Sequence, residues 1–227
     1  MPQSNIKLDN IARLDEMLKN AVQEAKQSSK SRKFSQSIDL VINLQDVDLK
    51  RPENKIDDTV ELPNPLKKVN KVCVLASGGV ALQAKQAGAD LVLDKAGVDK
   101  LAGDKKAAKK MAKSYDFFLA EGSVIPSVGK SMGFALGPRG KMPKPIPPGA
   151  PVDTLLDRYR RSIRIRTRDQ PVIQCKVGEE GMPDDAITKN IEAVLDKVKS
   201  RLGKGAKNIK GFYIKTTMGK SKYVKMQ

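Results

Sequence analysis

Hydrophobic positions in the N-terminal part of the chain follow first a helical and then a strand period. Between residues 5 and 27 they recur at helical spacing, which predicts an amphipathic helix. These positions are Ile11, Leu14, Met17, Leu18 and Val22. From residue 38 to residue 44 every second side chain is apolar, which predicts a strand with one buried face. We expect polar loops over residues 28–33 and 46–61.

The middle of the chain has a different pattern, in which short apolar runs alternate with helical segments. The runs at residues 72–75, 90–93 and 116–120 predict strands, the first of them buried on both faces. The intervening stretches predict helices up to residue 87, over 96–114 and over 123–134. Strands that alternate with helices indicate a parallel α/β unit.

Two proline-rich stretches flank this α/β unit. The first is Leu62-Pro63-Asn64-Pro65, and the second, residues 142–151, contains five prolines. Proline fixes its backbone and lacks an N–H group, so such a stretch is unsuited to a helix or a central strand. We therefore expect two stiff connectors on either side of the unit.

Beyond the second connector the alternating pattern returns. Residues 163–168 and 172–177 predict two strands joined by a turn, residues 183–202 predict a helix, and 212–214 predict a last strand. Neither end of the chain has enough elements to bury a core alone. We therefore predict an α/β protein of two domains. Residues 1–66 and 155–227 form one α+β domain, and residues 67–154 form a domain inserted into it.

Charge and composition indicate a polyanionic partner. The chain has 227 residues, with 43 Lys and Arg against 26 Asp and Glu, a net charge of +17 and a pI near 9.8. This balance favours nucleic acid over a membrane surface. No apolar run is long enough to span a bilayer and no signal sequence is recognisable, so we expect a cytoplasmic protein. Aromatic residues make up only 4%, so base stacking is not expected to be the main binding mode.

The residue types of many catalytic sites are missing. The sequence contains no His, which excludes His-based triads and imidazole metal sites. Cys73 and Cys175 lie far apart and outside any Cys-x-x-Cys pair. We expect two buried, reduced thiols. These observations favour a binding protein without a cofactor over an enzyme.

An arginine-rich strand is the first candidate binding element. Arg164, Arg166 and Arg168 alternate with apolar or small residues and would project from one face. Guanidinium groups bind phosphate oxygens in a bidentate manner. The alternative is a solvated face whose arginines pair with acids on a neighbouring strand. We favour contact with nucleic acid because few acids lie nearby in sequence.

Two further candidates lie at the ends of the chain. Lys33 and Phe34 precede the first strand, with Ser37 close behind, and could offer a charge, an apolar surface and a hydroxyl to a ribose or base. The last 27 residues carry eight basic side chains and no acid. Within them lies a neutral patch that suits close contact with a sugar-phosphate backbone. This patch is Thr216, Thr217, Met218 and Gly219, followed by Lys220.

The middle unit has two glycine-containing loops. The loop at residues 137–144 carries Arg139 and Lys141, which suit an anion or an RNA groove, although its spacing departs from a Walker A loop. Ser77-Gly78-Gly79 follows a strand and resembles a phosphate-binding turn, but the complete Gly-x-Gly-x-x-Gly is absent. An ordinary domain-linking loop and an ordinary tight turn are the alternatives.

Three of these motifs together resemble the large-subunit ribosomal protein L1 family, of the archaeal type, over essentially the whole chain. They are Lys33-Phe34, Gly137-Pro138-Arg139-Gly140-Lys141-Met142-Pro143 and Thr216-Thr217-Met218-Gly219. The resemblance implies that the domain formed by both chain ends is the main RNA-binding surface. It also implies that the inserted domain is a Rossmann-like three-layer α/β domain without nucleotide chemistry.

The resemblance further implies a function and a site. Members bind large-subunit rRNA and form the mobile stalk beside the tRNA exit site, where they assist release of deacylated tRNA. They also bind their own mRNA and repress its translation. Phe34, Ser37, Thr217, Met218 and Gly219 match the RNA-contacting cluster of the family. We expect a ribosomal, cytoplasmic protein that is monomeric when free.

Two other functions remain open from the sequence. The inserted unit could serve an enzyme with a nucleotide cofactor, a hypothesis that depends on Gly78 and Gly79. The basic composition could also belong to a nonspecific chaperone or DNA-coating protein. Bulk tRNA or duplex DNA would compete with such nonspecific binding, whereas a specific RNA binder should resist this competition. We expect RNA to be bound through phosphate attraction by the basic residues and through shape and 2′-hydroxyl contacts at the neutral patch.

Overall fold

The computed structural model describes residues 4–30, 32–51 and 54–225, with side chains described from residue 15 onward. The chain divides into two compact units. The terminal unit comprises the segments up to Lys67 and from Ser162 onward, and the inserted unit is Lys68–Arg161. The sheet of the terminal unit is antiparallel and that of the inserted unit is parallel, so the mixed α/β class is confirmed.

Among its described residues, the terminal unit has two α-helices and six strands. The helices are α1 (Ser4–Gln27) and α7 (Asp184–Arg201), and a short 3₁₀ helix spans Gly205–Asn208. The strands are β1 (Ser37–Leu44), β2 (Asp57–Glu61), β7 (Ser162–Arg166), β8 (Val172–Glu179), β9 (Ile209–Thr216) and β10 (Lys222–Lys225). An antiparallel sheet has the order β10-β9-β1-β8, and β2 pairs with β7 in a second, two-stranded sheet.

One face of the four-stranded sheet packs against the two helices. The apolar half of the β1 alternation is buried, and both helices contribute buried apolar side chains to the same core. Of the predicted α1 stripe, Leu18 and Val22 are buried, Met17 is 39% exposed, and the side chains of Ile11 and Leu14 lie outside the described residues. The central members of this core are Leu18, Val22, Ile38, Leu40, Ile42, Ile191, Leu195, Phe212 and Ile214. The predicted helix and strand at the N-terminus and the predicted helix α7 are therefore confirmed.

The inserted unit is a three-layer structure around a parallel sheet of order β4-β3-β5-β6. Its strands are β3 (Val72–Leu75), β4 (Leu91–Leu93), β5 (Phe117–Glu121) and β6 (Lys144–Ile146). Its helices are α2 (Gly78–Gln86), α3 (Lys95–Gly103), α4 (Lys105–Ser114), α5 (Ile125–Leu136) and α6 (Val152–Arg160). Cys73 and Leu75 of β3 face a cluster with α3, α4 and α5, whereas Val72 and Val74 face a cluster with α2 and α6. The prediction that β3 is buried on both faces is confirmed.

Helix α6 corrects the predicted boundary between the units. Residues 155–161 were assigned to the terminal domain, but the chain leaves the inserted unit only after Arg161. Leu156 is fully buried beside Val74, in the core of the inserted unit. The sequence predicted no element between the second proline-rich stretch and residue 163, and α6 lies in this interval.

The second proline-rich stretch is not a simple connector between the domains. Residues 144–146 form β6, which pairs with β5 at the edge of the parallel sheet. Proline has no N–H group to donate to a neighbouring strand, but an edge strand has a neighbour on one side only. Pro145 is therefore compatible with this position. The stretch therefore lies within the inserted unit.

Three smaller predictions were also wrong. The single helix expected over 96–114 is divided, because Asp104 accepts hydrogen bonds from the N–H groups of Lys106 and Ala107 and begins α4. The expected loop over 46–61 contains β2. The last strand is longer than 212–214, and β10 follows it. Within the described chain, no helix combines the length and the apolar character needed to cross a membrane.

Candidate nucleic-acid interface

The antiparallel register brings the two chain ends together at one end of the four-stranded sheet. Ser37 begins β1, and its neighbour Ile38 is the partner of Thr216 at the end of β9. Ser37 is also the partner of Glu179, at the end of β8. The loop that carries Phe34 and the turn that carries Met218 therefore lie at the same sheet end. We call this sheet end, with Lys33, Phe34, Ser37 and residues 216–220, the turn cluster.

Hydrogen bonds hold the backbone of the turn cluster in place. Thr217 donates its N–H to the Ser37 carbonyl at 3.0 Å, and its Oγ1 accepts from the Ser37 N–H at 3.0 Å. The N–H of Met218 donates to Oε1 of Gln36 at 3.2 Å. Gln36 is fully buried, and its Nε2 donates to Oγ of Ser29 at 2.6 Å. Because the backbone is bonded on both sides, the exposed side chains are held in position before any ligand arrives.

Two apolar side chains project from this rigid backbone. Phe34 is 51% exposed and Met218 is 62% exposed. Lys33 and Lys220, which are also exposed, lie next to them in sequence. An open depression at the Phe34 side is lined by Ser29, Arg32, Lys33, Phe34, Ser35 and Glu180. Apolar surface surrounded by positive charge can contact sugars or bases while the lysines attract phosphates.

Thr216 has a supporting role instead of the predicted direct one. Its side chain is 0% exposed, so a contact between this side chain and RNA is contradicted. Its carbonyl accepts a hydrogen bond from the N–H of Gly219 at 3.1 Å and closes the turn. Its Oγ1 is buried without a hydrogen-bond partner among the described residues. A Cβ at Gly219 would lie 2.1 Å from this oxygen, so the turn requires glycine for steric reasons.

The arginine strand is partly occupied by an ion pair. Nε of Arg164 donates to Oδ1 of Asp57 at 2.7 Å, and Nη2 contacts the other carboxylate oxygen. Asp57 lies on β2, which pairs with β7. The alternative that the sequence left open, pairing with an acid on a neighbouring strand, therefore applies to Arg164. Arg166 and Arg168 are exposed.

The exposed arginines lie at the opposite end of the sheet from the turn cluster. Thr167, between them, bridges to Ile173 near the start of β8. Ile173 is the partner of Ile42, five residues along β1 from Ser37. At about 3.3 Å per residue this separation is about 17 Å along the strand. The structure therefore separates the arginine strand from the turn cluster along the sheet. An RNA-binding role for Arg166 and Arg168 stays a prediction.

In the inserted unit, the two predicted basic contacts differ from each other. Nζ of Lys141 donates to the carbonyls of Ala112 at 3.1 Å and Tyr115 at 2.5 Å, at the C-terminal end of α4. Burial lowers the pKa of Lys141 from its usual value. Arg139 donates from Nη1 to the Ala135 carbonyl at 3.0 Å but stays exposed. The structure therefore assigns Lys141 a structural role and leaves Arg139 accessible.

The candidate binding elements inferred from the sequence did not include a lysine-rich helix, α4. All five lysines of α4 are exposed, whereas Ala108 and Ala112 face the core. The five are Lys105, Lys106, Lys109, Lys110 and Lys113. Among the described residues, no ion pair joins any of them to an acid. The signal was present in the sequence, as five lysines and no acid in ten residues.

The turn at Ser77 opens onto a cleft that disfavours phosphate. The cleft lies at the carboxyl ends of the parallel strands and has a volume of about 1000 Å³. The N–H of Ser77, which would face a phosphate, donates instead to Oε2 of Glu121 at 3.0 Å. The charged residues that line the cleft in the described structure, Glu121 and Asp153, are both acidic. A nucleotide phosphate would be repelled from this position.

Both cysteines are buried free thiols, as predicted. Burial raises the pKa of Cys73 and of Cys175 to about 12. A thiol with such a pKa is protonated at neutral pH and is a poor nucleophile and metal ligand. Neither cysteine therefore adds chemistry to the turn cluster or to the cleft.

The sequence is similar to sequences of known proteins over most of its length. The sequence model of the ribosomal protein L1p/L10e family matches residues 22–220. The chain is 49% identical to "Large ribosomal subunit protein uL1" of Thermofilum pendens over 89% of this chain and 90% of the relative. Proteins with the same name in Methanosphaera stadtmanae (47% identity, 91% and 97% coverage) and Archaeoglobus fulgidus (42%, 90% and 95%) are also similar. The chain therefore belongs to the ribosomal protein L1p/L10e family and is a ribosomal protein, not an enzyme.

Proposed function

We propose that this protein is a component of the large ribosomal subunit that recognises a folded region of large-subunit rRNA through the turn cluster. The observation that carries the proposal is the exposure of Phe34 and Met218, the latter on a backbone held by hydrogen bonds, in a chain of net charge +17. The shared name of the three relatives supports the assignment to the large subunit.

In this mechanism, charge supplies affinity and the neutral surface supplies specificity. Lys33 and Lys220 attract phosphates without reading sequence. Phe34 and Met218 pack against sugars or bases, and Ser37, Thr217 and Gly219 allow the RNA backbone to come close enough for 2′-hydroxyl contacts. Arg166 and Arg168 would bind phosphates of the same RNA at the far end of the sheet.

Filter binding of the purified protein to its cognate rRNA fragment tests the proposal. The logarithm of affinity should fall linearly with the logarithm of salt concentration, because each phosphate contact releases counterions. Bulk tRNA and duplex DNA in excess should leave the complex intact. If either competitor displaces the fragment at equal concentration, the protein is a nonspecific polyanion binder and the proposal is wrong.

The position of the protein on the ribosome is a finer part of the proposal. We place it in the mobile stalk beside the tRNA exit site, where it assists release of deacylated tRNA. The lysine face of α4 and Arg139 would contact the RNA or the exit-site tRNA. Glutamine at all five lysines of α4 should slow tRNA release from ribosomes that have incorporated the variant, while binding to the rRNA fragment stays within about twofold. An unchanged release rate would remove α4 from the proposal.

The same turn cluster would also bind a similar structure in the protein's own mRNA and repress translation. A reporter fused to the leader of this mRNA should be repressed by added wild-type protein and not by a Met218→Asp variant. Repression that survives in the variant would mean that a different surface binds mRNA.

We further propose that the free protein is a cytoplasmic monomer that acts within the ribosome without a cofactor. Sedimentation equilibrium should give the mass of one chain, 24.8 kDa. A concentration-dependent increase in mass at micromolar protein would contradict the monomer.

A further inference from the structure

Within the described part of the terminal unit, no helix of that unit covers the second face of the four-stranded sheet. Helices α1 and α7 pack on one face, and the side chains that point to them are buried. Because side chains alternate across a strand, the remaining positions project from the opposite face. Those on β8, β1, β9 and β10 are exposed or half-buried and include Gln174, Lys176, Asp39, Val41, Tyr213, Lys215, Tyr223 and Lys225.

Two of the chain's four tyrosines form a pair on this open face. Tyr213 of β9 is the register partner of Tyr223 of β10. Their ring centroids are 4.8 Å apart, with an angle of 42° between the ring planes. Tyr223 is 48% exposed, although it is a large aromatic side chain. The pair therefore presents ring surface to solvent.

The sheet is shaped to hold the Tyr223 ring close to its surface. A Cβ at Gly211 would lie 2.5 Å from the hydroxyl oxygen of Tyr223 and 2.8 Å from its Cε2. Only glycine leaves this space free, so the ring lies over the backbone at Gly211. The Tyr223 hydroxyl lies 3.5 Å from the Lys210 carbonyl, at the limit of a hydrogen bond, so packing over Gly211 is the main contact that positions the ring.

The charges around the tyrosines favour a polyanion. Lys215 lies two residues from Tyr213 on the same face of β9. Asp39, the acid on the neighbouring strand, is flanked by its register partners Lys215 and Lys176. Lys225 lies two residues from Tyr223 and is exposed. Three lysines and one acid therefore lie around the exposed aromatic pair. This combination of positive charge and ring surface is suited to stacked bases and their phosphates.

The tyrosine pair also lies near the turn cluster. Tyr213 precedes Thr217 by four residues on one strand and its turn, which is about 13 Å. An antiparallel four-stranded sheet with aromatic side chains on its open face is a known way to stack unpaired bases of RNA. We propose that Tyr213 and Tyr223 form a stacking platform for unpaired nucleobases, a second RNA site beside the turn cluster. This inference depends on the rRNA-binding function proposed above, but not on which residues of the turn cluster contact RNA.

Leucine at both tyrosines tests the platform, because it keeps apolar bulk and removes the aromatic faces. Affinity for the rRNA fragment should fall about tenfold or more, since stacking on an aromatic side chain contributes substantially to each bound base. The salt slope should be unchanged, because no charge is lost. Phenylalanine at both positions keeps the rings and should retain wild-type affinity. Thermal unfolding should show that both double variants are folded.

A second measurement reports stacking directly. A 2-aminopurine base placed at each unpaired position of the fragment in turn should lose fluorescence on binding wild-type protein at one or two positions. The quenching should disappear with the Tyr213→Leu, Tyr223→Leu variant.

If that variant binds with wild-type affinity and quenching, the platform is overturned, while loss of binding by Met218→Asp alone would leave the proposed function intact. If the phenylalanine variant also loses affinity, the hydroxyl groups bind and stacking is overturned. If the leucine variant binds RNA normally but no longer joins the large subunit, the face docks a protein and the RNA site is overturned.

Discussion

At two places in this protein an interior strand continues into a glycine-containing turn. The charges around these two junctions are opposite. In the terminal unit, β9 continues into the turn at Gly219, and this turn exposes Met218 in a basic surface. In the inserted unit, β3 continues into the turn at Gly78, and the carboxylate of Glu121 occupies the neighbouring N–H of Ser77. The first junction can accept an anionic ligand, and the second repels one.

A glycine after a strand therefore indicates a steric or backbone requirement of the turn and does not by itself indicate a bound ligand. Gly219 is needed because a Cβ would collide with Oγ1 of Thr216. Gly78 is needed because its φ of +58° is unfavourable for other residues. The charge of the neighbouring strand and loop then decides whether a polyanion can approach.

The largest effect should come from a negative charge introduced at the exposed turn. Met218→Asp should weaken binding to the rRNA fragment about a hundredfold or more, because a carboxylate would face the RNA backbone and like-charge contact costs several kcal/mol. Leu82→Asp is a matched control, since Leu82 is 61% exposed on the inserted unit. Filter binding should show wild-type affinity for the control. Equal losses in the two variants would mean that net charge, and not the turn cluster, governs binding.

Adding a methyl group to each glycine separates the two junctions further. Gly219→Ala should lower the free energy of unfolding by about 1–3 kcal/mol through overpacking and should also weaken RNA binding. Gly78→Ala should cost about 1–2 kcal/mol through its left-handed backbone and should leave RNA affinity unchanged. Denaturant unfolding and filter binding measure both quantities.

The clash at Gly219 can be tested by relieving it. Thr216→Ala removes Oγ1, so the double variant with Gly219→Ala should recover part of the lost stability. A double variant that is as unstable as the sum of the single variants would show that the steric explanation is wrong.

A smaller effect is expected in the cleft of the inserted unit. Isothermal titration with ATP or NAD should show no saturable binding at micromolar ligand, because Glu121 and Asp153 repel phosphate. Glu121→Gln removes one of these charges and should leave RNA binding unchanged. Micromolar binding to wild-type protein that Gly78→Ala abolishes would mean that the second junction is also a ligand site.

The smallest effect concerns stability without binding. Burial, and then Asp15, raise the pKa of Glu192 from 4.5 to about 7. Between about pH 4.5 and 7 the folded protein holds a proton that the unfolded chain has lost, so the contribution of Glu192 to stability is greatest below pH 4.5 and is lost as the pH rises through 7. Glu192→Gln should raise the melting temperature at pH 8 and not at pH 4. Glu16→Gln, at an exposed position of α1, is the control and should change neither.

Much of the fold could be predicted from the sequence because its signals are local. The alternation of Ile38, Leu40 and Ile42 and the apolar run at Val72–Leu75 each identify a strand and its buried faces. The sequence also identified the neutral patch at residues 216–219, but only the structure shows that this patch is a turn with an exposed Met218. The division at Asp104 and the helix over Val152–Arg160 were missed, because a cap and a short helix beside prolines leave weak periodicity.

The strongly basic character, the α+β and parallel α/β patterns, and the neutral patch among lysines can be read from composition and local periodicity. Long-range contacts in the folded chain then set which of these side chains remain exposed. Arg164 is 107 residues from its partner Asp57, Lys141 turns inward to the end of α4, and Thr216 lies beneath Gly219. The physical reason is that periodicity fixes the face on which a side chain projects, whereas strand order and register fix the groups that it meets there.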